Sequence, residues 1–451
     1  MVDRITQESV HKIKMLEQDC INIGVLGAGV VGSSVLEHYY QSRNLLSEAV
    51  GAPINLRFAV VRDLAKPRNV ILPEGLLSTN MADVIEDPQI NLVISLLGNE
   101  EAERSAITAA INQGKHVVTA NKVVMAKHGP ELFAIASQNG VDLLYEAAVG
   151  GGIQVVDNLI CRYSPNRFRS VQGILNGTTN SILTRMSLDN MEYGAALSLA
   201  QKEGLAEPDP TNDVEGYDAA YKLAILASLA FKKGWVDPAQ IYCEGISRIH
   251  PRDFKNADDM GYVIKLIGAA SDTPKGIEAW VAPALLPKDH LLANVNGALN
   301  GILLQGDPIG DVQLAGPGAG GKPTAASIWS DVVKASKDII TGNVSTNHFS
   351  TEKATVLPFD ESEHSNYVRL TIIDGFRRVE NIGRIFSDNE VSINQILQLK
   401  NRKWLDEGVN MAEMAIDIDP SGEGNITKAI LDLSQADYCQ EIGSRFRILS
   451  S

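Results

Sequence analysis

An apolar run interrupted by glycines at positions 27, 29 and 32 leaves this chain few ways to fold. Ile21-Asn-Ile-Gly-Val-Leu-Gly27-Ala28-Gly29-Val30-Val31-Gly32 reads as a buried strand, a tight turn and the start of a helix. The three glycines fit GxGxxG, in which missing side chains let a pyrophosphate reach backbone amides at a helix amino terminus, with Ala28, Val30 and Val31 completing the turn. The spacing alone is common, so the context decides. Strand-like runs recur at residues 56–61, 92–97 and 116–120 with helical segments between them, as parallel βαβ units require. That context disfavours a merely tight strand-to-helix turn. An α/β fold is expected, with a Rossmann-type domain over residues 20–150.

The second strand ends Val60-Val61-Arg62-Asp63, with Lys66 and Arg68 close behind. An acid at that point binds a ribose 2′-hydroxyl, whereas an arginine accommodates the 2′-phosphate of NADP. Arg62 comes first and Lys66 follows, which favours NADP; Asp63 leaves NAD open. Simple solvated loop charges are the competing account of the same basic residues. Two later strand ends, Ser95-Leu-Leu-Gly-Asn99 and Thr119-Ala-Asn121-Lys122, lie where open α/β sheets bind ligands, so Asn121 and Lys122 are candidate contacts. Leu143-Leu-Tyr-Glu146-Ala-Ala-Val149-Gly-Gly-Gly152 is a further strand running into three glycines. Glu146 beside exposed carbonyls suits a monovalent cation, and a hinge into a second domain explains the stretch equally well.

A second concentration of chemistry falls in the middle of the chain. Five carboxylates and one lysine lie between Glu207 and Lys222, and the next nine residues, 223–231, are nearly all apolar. Pro208 and Pro210 stiffen the segment that carries Glu207 and Asp209. Asn212 with Glu215 three residues on has the form of a capping box, which predicts a helix starting there. On it Asp218 and Lys222 are four apart on one face. A solvated ion pair would be worth only a few tenths of a kcal/mol. The helix lacks a polar face, however, so these charges are expected to be buried, where they are costly unless used. Gly173-Ile-Leu-Asn176-Gly177-Thr178-Thr-Asn180 is a strand end, a turn and a helix start whose amides and hydroxyls suit a carboxylate, or simply cap the helix. An anion end and a cation end together match an amino-acid substrate.

Composition sets the outer bounds. A length of 451 residues suggests about three domains. A net charge of −15 argues against nucleic acid and anionic membrane surfaces as partners. The four cysteines are far apart and form no CxxC, which points to a reducing cytoplasm and neither zinc nor disulfides. Residues 1–19 carry four acidic side chains and no apolar segment, so they read as an extension and not as a targeting peptide.

Taken together these segments resemble the homoserine dehydrogenases. The resemblance rests on the glycine fingerprint, Ala120-Asn121-Lys122, the Glu146 to Gly152 and Gly173 to Asn180 motifs, and Glu207-Pro-Asp-Pro-Thr-Asn-Asp213-Val-Glu-Gly-Tyr-Asp218-Ala-Ala-Tyr-Lys222. Pro287-Lys-Asp-His-Leu-Leu-Ala-Asn-Val-Asn-Gly297 and Gly316-Pro-Gly318-Ala-Gly320-Gly-Lys-Pro-Thr324 come later, in family order. It implies interconversion of L-aspartate 4-semialdehyde and L-homoserine with NADPH or NADH. It further implies that Glu207 binds the substrate amino group with Asp213 in the same pocket, that Lys222 is the proton donor beside Asp218, and that Lys122 contacts cofactor and substrate. A cation such as Na+ or K+ would be held by Glu146 and the carbonyls of Val149, Gly151 and Ile153. Gly318 and Gly320 would return to the nicotinamide region, with residues 316–341 completing the first domain. Residues 151–315 would form a mixed α+β substrate and dimerisation domain, in a homodimer or homotetramer.

Residues 342–365 are rich in Ser, Thr, Asn and Glu and read as a linker. Residues 366–451 take the order strand (367–373), helix (379–388), strand (393–399), strand (411–418), helix (426–433), strand (442–448), a ferredoxin-like pattern that resembles an ACT domain. An effector such as L-threonine is implied there. The Asp374-Gly-Phe-Arg-Arg378 turn lacks the Pro-Gly pair common in such loops, so assembly alone is the rival role.

Overall fold

The structure, a computed structural model, describes residues 20–68, 70–344, 352–406 and 409–449, with backbone alone over 399–406. Its chain contacts divide into two compact units. One comprises Met1–Pro165, Ser228–Trp235 and Gly316–Lys353; the other comprises Asn166–Ala227, Val236–Ala315 and Ala354–Ser451.

The first unit is built on a parallel sheet of β1 (Ile21–Leu26), β2 (Ile54–Val60), β3 (Leu77–Ser78), β4 (Leu92–Ser95), β5 (His116–Thr119) and β6 (Leu143–Leu144). Their order is β3-β2-β1-β4-β5-β6. This is the doubly wound order, in which the chain reverses direction between β1 and β4 and ligands bind beyond the strand ends there. Ile23, Val25, Leu92, Val93 and Ile94 are fully buried, as strands covered on both faces demand. Helix Val30–Val50 packs against helix Gly321–Thr341. Trp329 stacks on Tyr39 with ring centroids 6.0 Å apart and donates its indole N–H to the Val35 carbonyl at 3.1 Å. A late segment thus completes the first sheet's covering layer.

The second unit carries β7 (Arg167–Ile174), β8 (Tyr242–Cys243), β9 (Tyr262–Thr273), β10 (Gly276–Pro287), β11 (Leu299–Asp307), β12 (Gly310–Pro317), β13 (Glu363–Ile373), β14 (Ile393–Asp406), β15 (Val409–Gly422) and β16 (Cys439–Ile448). They form one sheet in the order β12-β11-β7-β9-β10-β16-β13-β15-β14, with β8 beside β10. Within it β13 to β16 alternate with helices Arg378–Asp388 and Glu423–Ser434 as β-α-β-β-α-β. Ile382 and Phe386, four apart on the first of these helices, bury against Val368, Leu370 and Ile416. β16 pairs in parallel with β10 through only Ala284↔Arg447 and Leu285↔Ile448.

Two expectations change here. Strands β13 to β16 run longer than the apolar periodicity implied, because the polar ends of edge and hairpin strands carry no such signal. Part of the 342–365 stretch is ordered along β10: Ile277 donates to Thr355 O and Leu357 to Ile277 O, both at 2.8 Å. Backbone pairing, invisible in composition, holds it there. Residues 345–351 of that stretch lie outside the described residues, as does the extension of residues 1–19.

Side-chain charge reinforces the short β10–β16 join. Arg447, 1% exposed, bonds Glu244 and reaches Glu423 at 3.2 Å, its guanidinium lying over the stacked rings of Tyr242 and Phe359. His364 bridges Glu278 of β10 (2.7 Å) and Glu423 (3.1 Å). Burial opposes a charged imidazole, but those two carboxylates outweigh it and raise the His364 pKa. Burial likewise raises Glu423, yet His364 and the arginines bring its carboxyl down to about 2. A raised imidazole contributes stability that is fully present below its unfolded value of about 6.5 and lost as pH rises through the folded value. Thermal melts from pH 5.5 to 8.5 should therefore show His364→Asn destabilised most at the acid end, the gap to wild type closing as pH rises.

Candidate active site

The middle of the chain gathers four polar side chains in the second unit. Asn176 ends the turn after β7 and caps helix Gly177–Leu188, its Oδ1 accepting from the Thr179 amide at 2.8 Å. Its Nδ2 donates to Asp213 Oδ1 at 2.7 Å and to Asp218 Oδ2 at 2.8 Å. Lys222 Nζ donates to the same Asp218 oxygen at 2.6 Å and to the Leu175 carbonyl at 2.7 Å. Asn176, Asp218 and Lys222 are all buried. A buried ion pair of this kind is held in one geometry by its surrounding hydrogen bonds, since either charge alone would be costly. Asn300 Nδ2 shares the Leu175 carbonyl at 3.0 Å.

The helix bearing Asp218 and Lys222 does not start at the expected capping box. A short helix, Thr211–Val214, comes first; Gly216 then turns the chain at φ 87°, and the long helix runs Tyr217–Phe231. Glu215 accepts from Ser247 at 3.3 Å, and the Val214 carbonyl takes the Ile246 amide at 2.9 Å. Those non-local partners, together with a glycine in the left-handed region, override the local cap signal. Beyond it the helix is buried as its sequence implied, from Leu223 to Phe231.

Other expected residues flank this cluster. Thr178 donates to the Leu205 carbonyl at 2.8 Å, tying the helix start to the acidic loop. Gly177 is obligatory for space, because a Cβ there would meet Ala298 O at 2.6 Å. Glu207 is exposed on that loop, its carbonyl held by Gln201 at 3.2 Å, and no hydrogen bond among the described residues draws its carboxylate into the cluster.

The first unit sets out the glycine turn as the fingerprint requires. A Cβ on Gly27 (φ 97°) would stand 2.4 Å from Leu96 O, and one on Gly32 would stand 2.1 Å from Gly27 O. At Gly29 it would meet nothing, leaving open space beside the helix start that Val30 and Val31 begin and Ala28 precedes. At the end of β2 Arg62 and Lys66 are exposed, while Asp63 turns its carboxylate onto the Ala65 amide at 2.8 Å. Asn121 caps helix Lys122–Asn139 through Val124 N at 3.1 Å, placing Lys122 at the first helical position beyond β5. Gly320 (φ 114°) precedes helix Gly321–Thr341, and Gly318 lies close against Gly151.

The loop of Glu146, Val149, Gly151 and Ile153 is buried in the same unit apart from Gly152. Glu146 accepts from Val156 N at 2.9 Å and Asp157 N at 2.6 Å, and its own amide donates to Asp331 at 2.8 Å. Burial foremost, and the nearby Asp157 charge, push its carboxyl up to about 7; burial and Glu146 likewise raise Asp331. Ser327 donates to Gly151 O at 2.6 Å.

A model of the homoserine dehydrogenase NAD-binding domain matches residues 27–146, and one of the homoserine dehydrogenase domain matches residues 155–333. The homoserine dehydrogenase of Bacillus subtilis is 38% identical over 431 residues, covering 95% of this chain and 98% of its own. The chain belongs to the homoserine dehydrogenase family. The Synechocystis homoserine dehydrogenase is also 38% identical, across 95% of this chain and all of its own length. The crystal structure of a homoserine dehydrogenase from Thiobacillus denitrificans superposes with a TM-score of 0.87 at 34% identity, covering 96% of this chain and 98% of that one.

Several polar partners within each unit of this homoserine dehydrogenase escape a sequence reading. Asn300 and the Leu175 carbonyl sit among apolar strand residues, and Asp331 and Ser327 lie on a helix whose other buried residues are mostly apolar. Asn176 emerges as the hub, so Asn176→Ala should cost about 1–2 kcal/mol of stability as a lost cap and lost bonds. It should also lower turnover by more than about tenfold through misplacing Asp218 and Lys222. Melting curves beside steady-state rates check this; lost stability at unchanged turnover would leave Asn176 a cap alone.

Proposed function

We propose that this enzyme reduces L-aspartate 4-semialdehyde to L-homoserine with a nicotinamide cofactor, in the branch supplying threonine and methionine, and that Lys222 donates the proton. The buried Lys222–Asp218–Asn176 constellation, with Asp213 beside it, carries the reading. The cofactor, when bound, supplies hydride to the aldehyde carbon. Charge then develops on the carbonyl oxygen, where an ammonium both stabilises it and delivers a proton. Asp218, held by Asn176, keeps Nζ in one place. Asp213 and Glu207 supply carboxylates for the substrate ammonium, and the amides at Asn176, Gly177 and Thr178 suit its carboxylate.

NADP is our preferred cofactor. Asp63 is engaged by its own loop, while Arg62 and Lys66 stand exposed at the end of β2, as recognition of a 2′-phosphate calls for. The glycine turn, Asn121, Lys122 and the Gly318 to Gly320 segment are the contacts we assign to the dinucleotide.

The Glu146 loop fits a monovalent cation in one respect. Glu146 and Asp331 are both buried carboxyls raised first by burial, Asp157 adding to the rise at Glu146 and Glu146 to that at Asp331, and a cation beside them would offset that repulsion. Both Glu146 oxygens already accept backbone amides, so the carbonyls of Val149, Gly151 and Ile153 would be the donors, with Glu146 shaping their loop.

Among the described residues no helix is long and apolar enough to cross a membrane, and Cys20, Cys161, Cys243 and Cys439 are all free, as suits the cytoplasm. For residues 363–448 we favour an ACT-type module on the strength of its β-α-β-β-α-β order. In its first turn Arg377 adopts a left-handed φ of 63° and Phe376 is 99% exposed.

NADPH and NADH oxidation, followed by absorbance with aspartate semialdehyde and with other small carbonyl compounds, tests the activity. Faster turnover of a different aldehyde or oxo acid would displace the substrate assignment. Lys222→Ala should retain NADPH binding and lose roughly a hundredfold to ten-thousandfold in rate; near wild-type turnover would remove Lys222 from its role. The same assay with millimolar L-threonine should show inhibition if the terminal module senses it, and an unchanged rate would assign that module to assembly into a dimer or tetramer.

A further inference from the structure

Glu103 lies in the first turn of helix Glu100–Asn112, yet it is fully buried while Glu101 is exposed and Glu100 half-buried. Ionised carboxylates are rarely fully buried without partners, so its contacts indicate its use. One oxygen accepts the Leu97 amide at 2.5 Å, and the Gly98 amide also points to the carboxylate. The other accepts the Thr119 hydroxyl at 2.8 Å. Thr119 in turn accepts the Asn121 amide at 3.2 Å. Asn121 caps the helix that begins with Lys122.

These partners come from two separate loops. Leu97 and Gly98 come just after β4; Thr119 ends β5, paired with Ser95 across the sheet. The β4 loop also packs against the fingerprint, since Leu96 O occupies the space a Cβ on Gly27 would need. Both loops leave the carboxyl ends of strands beside the point where strand order reverses, the location at which doubly wound sheets hold their ligands. A helix cap needs no such reach: Asn99 already caps this helix through Ala102 N at 3.0 Å.

We infer that Glu103 is a positioning residue for the nicotinamide dinucleotide: its buried carboxylate ties the loop after β4 to the loop after β5. It thereby fixes the glycine turn's neighbour on one side and the Asn121–Lys122 helix start on the other. Glu103 acts through these loops and touches no reacting atom. The inference rests on the reading that this unit binds the dinucleotide.

Titration of full-length wild type, Glu103→Ala, Glu103→Gln and Thr119→Val with NADPH and with NADH, read by nicotinamide fluorescence, tests it beside melting curves and steady-state rates. Glu103→Ala should weaken dinucleotide affinity by about tenfold or more, as loss of hydrogen bonds to a charged group implies. Thr119→Val, which cuts only the β5 arm, should weaken it less but measurably. Glu103→Gln keeps an acceptor for the Leu97 amide and should bind within about threefold of wild type. The KM for aspartate semialdehyde at saturating cofactor should stay within about twofold in Glu103→Ala, a split that general destabilisation would not produce. A cooperatively melting Glu103→Ala protein that binds dinucleotide as wild type does would overturn the proposal. If that variant does not fold, unchanged affinity in Thr119→Val overturns it instead. Wild type binding neither dinucleotide would sink the dehydrogenase reading and this inference together, whereas wild-type binding with indifferent variants sinks the inference alone.

Discussion

Lys222 and Asp218 place opposite charges 2.6 Å apart where each is less than a tenth exposed, and much of the second unit is arranged to make that tolerable. Neither charge would be stable there alone, because burial of an unpaired ion costs several kcal/mol. The pair survives because Asn176 donates to the carboxylate and the Leu175 carbonyl accepts from the ammonium. Those two residues are consecutive, at the end of β7 and the start of a helix. The backbone turn that caps the helix and the cage that holds the ion pair are thus one piece of structure.

This coupling explains why the Asp218–Lys222 pair could be found from sequence while the arrangement around it could not. Asp218 and Lys222 are four apart, and a helix puts such residues on one face whatever else happens. That the helix is buried could be read from its missing polar face. Asn212 and Glu215 misled, because a cap is a local signal and Gly216 with the Ile246 amide imposed a non-local one. Asn300 carries no signal in sequence at all. An asparagine amid strand residues is unremarkable until the register of β11 with β7 sets it against the Leu175 carbonyl.

The first unit was more legible, and for a physical reason. Parallel strands buried on both faces must be nearly all apolar, so β1, β2, β4 and β5 announce themselves, and GxGxxG marks the turn after the first. Glu103 shows where such reading stops. Three acids in a helix's first turn are what the helix dipole favours, so Glu100, Glu101 and Glu103 look alike in sequence. Only the sheet, by setting Ser95 beside Thr119, creates the buried place that separates the third from its neighbours.

Buried charge recurs where chain segments distant in sequence must hold one relative position. Glu103 joins two strand-end loops, and Arg447 with His364 and Glu423 joins β16 to β10, whose backbone pairing spans only two residue pairs. Hydrophobic contact is non-directional and would let such a short join slide. A charged hydrogen bond has a length and an angle, and breaking it in a dry interior leaves both partners unsatisfied. An ion network is therefore a better clamp than an apolar patch of equal area, even where its net contribution to stability is small. The Arg447, His364 and Glu423 network beside β10 and β16 accordingly sets the register of the terminal module, and Ile382, Phe386 and Ile426 pack its apolar core.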